Sequence, residues 1–78
     1  MEEKLAVLIP ELVERIRKVY NLDMADAEKA LRQSTFFQKL TDEAAGLWKD
    51  DGDKNFGRYQ NEVEYGAWNR NEHGGIAD

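Results

Sequence analysis

In 78 residues there is no cysteine, a single proline, a single histidine and a single serine. Without cysteine the chain has neither a disulfide staple nor a thiolate metal site. That argues against a small secreted scaffold held by cross-links and fits a reducing compartment. The longest apolar run, Leu5 to Ile9, falls far short of the roughly 20 residues a membrane span needs. No basic leader with a small-residue cleavage site is present, so the expected home is the cytoplasm.

Strand-like alternation, internal repeats and coiled-coil heptads are also missing. The inventory for catalysis is equally thin. Ser34 stands ahead of an apolar helical pattern, where a capping role suits it. His73 lies in a polar, glycine-bearing stretch with nothing evident to orient it, and Gly74-Gly75 is an isolated pair rather than a phosphate-cradling loop. No catalytic residue and no cofactor are expected, and the chain is read as not an enzyme.

What is present is charge, unevenly placed. Residues 1–40 carry seven Lys/Arg and seven Asp/Glu, whereas residues 41–78 carry four against nine, which accounts for the net charge of −5. No basic patch for a phosphate backbone is visible, so direct nucleic-acid binding is not expected. A basic protein partner would be attracted and steered by the acidic half.

The apolar residues follow helical periods. Leu5, Leu8, Ile9, Leu12, Ile16, Val19 and Tyr20 form one stripe. Pro10 interrupts it, at a cost of about 3 kcal/mol inside a helix. Either the helix starts at Pro10 or a longer helix bends there, and the unbroken apolar phase favours the longer one. Asn21 suits a left-handed C-terminal cap, and Asp23, with Asp26 three residues on, suits the next N-cap. A short helix from about Met24 to Arg32 would bury Met24, Ala27, Ala30 and Leu31. A third, capped by Ser34, would carry Phe36, Phe37, Leu40, Ala44, Leu47 and Trp48 inward, either unbroken or with a break near residue 41, where Thr41 followed by Asp42 and Glu43 could restart it. The last would bury Phe56, Tyr59 and Val63. From about residue 69 the chain reads as a flexible polar tail. The expected fold is all-α: a small bundle of three to four helices over residues 1–68.

The stretch DDGDKNFGRYQNE, residues 50–62, carries calcium-loop spacing: Asp51, Asp53 and Asn55 at loop positions 1, 3 and 5, and Glu62 at position 12. Position 6 requires glycine because the chain turns there with φ > 0, yet Phe56 occupies it. The helical period of Phe56, Tyr59 and Val63 also starts a helix before position 10, where the exiting helix of such a loop begins. A calcium-responsive helix–loop–helix is therefore the alternative. The favoured reading makes Asp51 or Asp53 a helix cap and the acids a landmark for a partner.

If the last helix continues to Trp68, then Tyr65 and Trp68 leave the core side and form an aromatic pair beside Arg58, Glu62 and Glu64. If it ends near Gly66, Trp68 folds back onto the bundle. The candidate partner-binding residues are Asp50, Asp51 and Asp53, with Arg58, Glu62, Tyr65 and Trp68.

Over residues 5–64, Tyr20-Asn21, Ala27 with Ala30-Leu31, and Ser34 with Phe37 and Leu40 occur in order. Gly46-Leu47-Trp48 and then Phe56, Tyr59 and Glu62 follow. This order resembles short bacterial helical domains of unknown function, some encoded beside toxin-like genes. Pro10 and the segment after Gly66 depart from that pattern. The resemblance implies a partner-binding or neutralising role and no catalytic residue. The expectation is a protein-interaction module of the antitoxin, immunity or inhibitor type, one version of which has the acidic half mimicking nucleic acid in a basic groove. A structural homodimer is a further alternative.

Overall fold

The computed structural model describes residues 1–68; the reading of residues 69–78 as a tail lies outside the described residues. Four helices make the body: α1 (Glu2–Tyr20), α2 (Met24–Gln33), α3 (Thr35–Leu40) and α4 (Gly52–Tyr65). Two 3₁₀ turns, Glu43–Ala45 and Leu47–Lys49, join α3 to α4, and no strand occurs among the described residues.

α1 runs through Pro10 as one helix. Proline leaves the carbonyl four residues back without its usual donor. Pro10 and Ala6 are both exposed, so water can take that bond, while the stripe of Leu5, Leu8, Leu12 and Ile16 stays continuous on the core side. The helix stops at Asn21, which adopts the left-handed conformation (φ 58°, ψ 49°). The Leu22 N–H then closes the end on the Arg17 carbonyl at 3.0 Å. After that turn Asp23 caps α2 by accepting from the Asp26 N–H at 2.8 Å, and α2 folds back along α1.

Ser34 serves two helices at once. Its hydroxyl donates to the Leu31 carbonyl at the end of α2 (2.6 Å) and accepts from the Phe37 N–H at the start of α3 (3.0 Å). It is buried, so both bonds are sheltered from water. The core around it is filled by Leu12, Ile16, Leu31, Phe36 and Leu40, with Ala27, Leu47, Phe56 and Tyr59 enclosing them.

Periodicity misplaced several residues. The third helix does not continue past Leu40. The chain breaks at Thr41 and winds into the 3₁₀ turns around Gly46, whose φ of 77° suits glycine. Leu47 still reaches the core, but Ala44 is exposed. Val19, Met24 and Val63, expected inside, are at least half exposed, and Val13, not expected, is buried. In each case the cause is the position of the neighbouring element rather than the phase of the helix. Val13 lies beside α2, whereas Val19, Met24 and Val63 sit at or near helix ends, where little chain covers them.

Two substitutions separate these roles. Ser34→Ala should lower unfolding free energy by about 1–2 kcal/mol through the lost cap, seen as a thermal midpoint about 4–16 °C lower. Val63→Ala should shift stability by no more than about 0.5 kcal/mol, where a core valine would cost more.

Candidate functional site

The acidic segment folds as the start of α4 rather than as a loop. Asp51 is its N-cap and accepts from the Lys54 N–H at 2.9 Å. Gly52, the first helical residue, is buried against Glu11 of α1. A Cβ there would collide with the Glu11 carboxylate, which would have to swing away. Asp53 is exposed and pairs with Arg15 of α1, which also contacts Glu11 at 3.2 Å. That hydrogen bond to Asp53 is the main reason the Arg15 guanidinium is held more firmly in its charged form.

Asn55 is the best-buried polar side chain of the described residues, at 0 % exposure. Its Nδ2 donates to the carbonyls of Leu47 (3.0 Å), Asp50 (3.1 Å) and Asp51 (3.2 Å). Its Oδ1 accepts from Arg58 (2.8 Å), and Arg58 in turn grips the Asp50 carboxylate at 2.8 Å. Arg58 is only 11 % exposed at the side chain, so this pair is considerably shielded from solvent screening. Together these bonds fasten the second 3₁₀ turn to α4.

Glu62 points elsewhere. Its two carboxylate oxygens accept from the Thr35 N–H (2.8 Å) and the Phe36 N–H (2.6 Å). Ser34 takes the Phe37 N–H, so the first three amides of α3 are all engaged. A charged acceptor at a helix N-terminus satisfies orphan donors and the helix dipole together.

The calcium alternative is therefore corrected by the backbone. Residues 52–65 form a helix, Phe56 packs into the core, and the four would-be ligands serve different partners. Asp51 caps α4, Asp53 meets α1, Asn55 faces the connector and Glu62 faces α3. No group of three or more His, Cys, Asp or Glu is gathered for a metal among the described residues.

The aromatic pair is also divided. α4 ends at Gly66, whose φ of 83° closes it, so Trp68 is not on the helix; it is partly buried against the core. Tyr65 is 53 % exposed. Of the residues first suspected of meeting a partner, Asp50, Arg58 and Glu62 hold the fold together and Trp68 is partly buried. Asp51 and Asp53, although a cap and an ion-pair partner, remain exposed, as does Tyr65.

A surface the sequence did not single out lies on the other side of the connector. Val7 of α1 is 67 % exposed, the most exposed large apolar side chain among the described residues. With Leu8 and Trp48 it lines an open groove of about 510 Å³, bordered by Glu3, Lys4, Glu11, Lys49, Asp50 and Asp51. The Trp48 indole N–H donates to the Glu43 carbonyl at 3.1 Å, and the Lys49 ammonium lies 5.5 Å from the indole centroid. Sequence periodicity could not find this groove, because Val7 faces off the stripe and Trp48 was read as carried inward on the third helix.

Midway along α4, Tyr59 packs edge-on to Tyr20 at 6.1 Å and stacks with Phe56 at 6.4 Å. Burial pushes both tyrosine phenols above their ordinary value. For Tyr20, Gln60 opposes the shift and Glu64 adds to it. The Tyr20 hydroxyl is buried without a hydrogen-bond partner among the described residues.

No protein-family model, curated protein or solved structure matches the chain. No helix among the described residues is long and apolar enough to cross a membrane.

Asn55→Ala should cost about 2–3 kcal/mol, because buried carbonyls lose their donor. Asp51→Ala, the loss of a plain cap, should cost about 1 kcal/mol; equal losses in urea titrations would contradict the network. The tyrosines set an alkaline limit. Their folded values are raised, so the stability they confer is full below about pH 10 and is lost as pH rises through those values. The urea midpoint should fall above about pH 10, and less steeply in Tyr20→Phe. That variant should match or exceed the parent at neutral pH, by up to about 1 kcal/mol.

Proposed function

We propose that the chain is a non-enzymatic protein-interaction module, of the antitoxin, immunity or inhibitor type, that meets its partner through an acid-bordered surface. The observation that carries this reading is Val7 standing exposed beside the half-buried Trp48 in a groove edged by carboxylates. A small domain has few large apolar side chains to leave outside its core, and tryptophan is among the side chains that dominate interface energetics.

Three further points support it. The polar clusters that could have carried chemistry are engaged in holding helices together. The net charge of −5 favours encounter with cationic proteins and disfavours phosphate backbones. The order of features over residues 5–64 resembles small bacterial helical domains, some encoded beside toxin-like genes. If the acidic surface blocks a basic, nucleic-acid-type groove, binding would weaken steeply with salt.

Affinity capture from the host lysate on the immobilised chain, eluted in steps of NaCl, tests the reading. It predicts a stoichiometric basic protein released as salt rises. Recovery of no specific protein, or of one held equally at all salt concentrations, would contradict it.

A further inference from the structure

Resting on the interaction reading above, we infer that the Val7–Trp48 groove receives a cationic amphipathic helix of another protein, seated in a fixed direction. The direction comes from how apolar and charged groups are ordered along α1. Val7 and Leu8, facing Trp48, make the apolar floor. One turn toward the helix N-terminus the lining becomes Glu2 and Glu3, joined across the gap by Glu43 of the first 3₁₀ turn. Residues four apart on a helix are neighbours about 6 Å apart along its axis, so the floor and the acidic end lie within a turn of each other.

The acids of this surface are not equivalent. At the Gly52 end, Asp50 is paired with Arg58 and Glu11 with Arg15, while Asp51 is engaged as the cap of α4, accepting from the Lys54 N–H. Lys49, over the Trp48 ring, would repel a cation placed there. At the opposite end Glu2, Glu3 and Glu43 are exposed, with Lys4 and the Met1 amino group as the nearby positive groups. A bound cation is therefore favoured at the Glu3–Glu43 end and disfavoured beside Lys49.

The occupant that satisfies both requirements presents one large apolar side chain to Val7, Leu8 and Trp48, and lysine or arginine about one turn away. A helix supplies that spacing on one face, in the helix-in-groove manner. An anionic membrane surface or a nucleic acid would meet carboxylates at the wrong end. A second copy of this chain, with a net charge of −5, offers no excess of cations.

The test is an amide NMR titration of the full chain with a 14-residue amphipathic Leu/Lys peptide. A Leu/Glu peptide of the same pattern is the control. Saturable shifts are expected at Glu3, Val7, Leu8, Glu43 and the Trp48 indole N–H, with none from the Leu/Glu peptide. Val7→Lys, at an exposed site and so with an unchanged thermal midpoint, should weaken binding about tenfold. The inference is overturned if the Leu/Lys peptide gives no saturable shifts or both peptides bind alike. It is also overturned if the shifts centre on Val63 and Tyr65, or if Val7→Lys binds as the parent does. Repeating the lysate capture with Val7→Lys separates the two claims. A basic partner captured equally by both proteins removes the groove and keeps the interaction module. Capture of nothing by either removes the module, and the peptide shifts then judge the groove alone.

Discussion

A single carboxamide decides how the second half of this chain is arranged. Asn55 is fully enclosed and faces three backbone carbonyls of the connector with its amide nitrogen, while its oxygen receives Arg58. The 3₁₀ turns before α4 have little regular hydrogen bonding of their own. Without a donor reaching in from α4, the Asp50 carbonyl would lose that donor and the Leu47 and Asp51 carbonyls would keep only one backbone bond each. A buried group left unsatisfied costs about 1–3 kcal/mol. Leucine at the same position would fill the space without supplying any of these side-chain bonds. The placement of Leu47 in the core and of Trp48 at the groove both depend on that turn being held.

The same logic runs through the other polar residues of the segment. Asp51 starts α4, Asp53 reaches α1, and Glu62 of α4 closes the first turn of α3 from 26 residues along the chain. α3 is only six residues long, below the length at which a helix is stable alone. Glu62 and Ser34 together occupy its leading amides, and Phe36 and Leu40 anchor it in the core. The acidic stretch thus works as a set of joints between helices. Near the apolar groove, Asp51 is occupied as a cap, and the other exposed carboxylates without an ion pair come from the start of α1 and from Glu43.

Much of the fold was legible in the sequence because it rests on local rules. The caps at Asp23, Ser34 and Asp51, the left-handed Asn21, the break at Thr41 and the all-α class follow from side-chain chemistry a few residues wide. What could not be read was non-local. Glu62 shows the same residue type at the same place in the chain whether it binds an ion, a partner or an amide of α3. Asn55 fits a ligand pattern as well as a buried brace, and only the arrival of the connector decides. Val63 keeps perfect phase with Phe56 and Tyr59, yet the bundle ends before it. The groove was hidden for the related reason that Val7 and Trp48 are 41 positions apart in sequence and meet only through the turn that Asn55 holds.

The functional reading inherits this dependence. An interaction surface built from α1 and the connector is preformed only if the connector is rigidly attached to α4, and preformed surfaces lose less ordering entropy on binding. Native-state hydrogen exchange addresses that attachment directly. The Phe36 amide, bound to Glu62, and the Asp50 amide, bound to the Leu47 carbonyl, are the two to follow. Amides at a helix start or in an isolated turn ordinarily exchange through local fluctuation. The account predicts that both exchange as slowly as the central amides of α4, in one cooperative unit. Exchange of either at the rate of an open loop, while α4 stays protected, would contradict it.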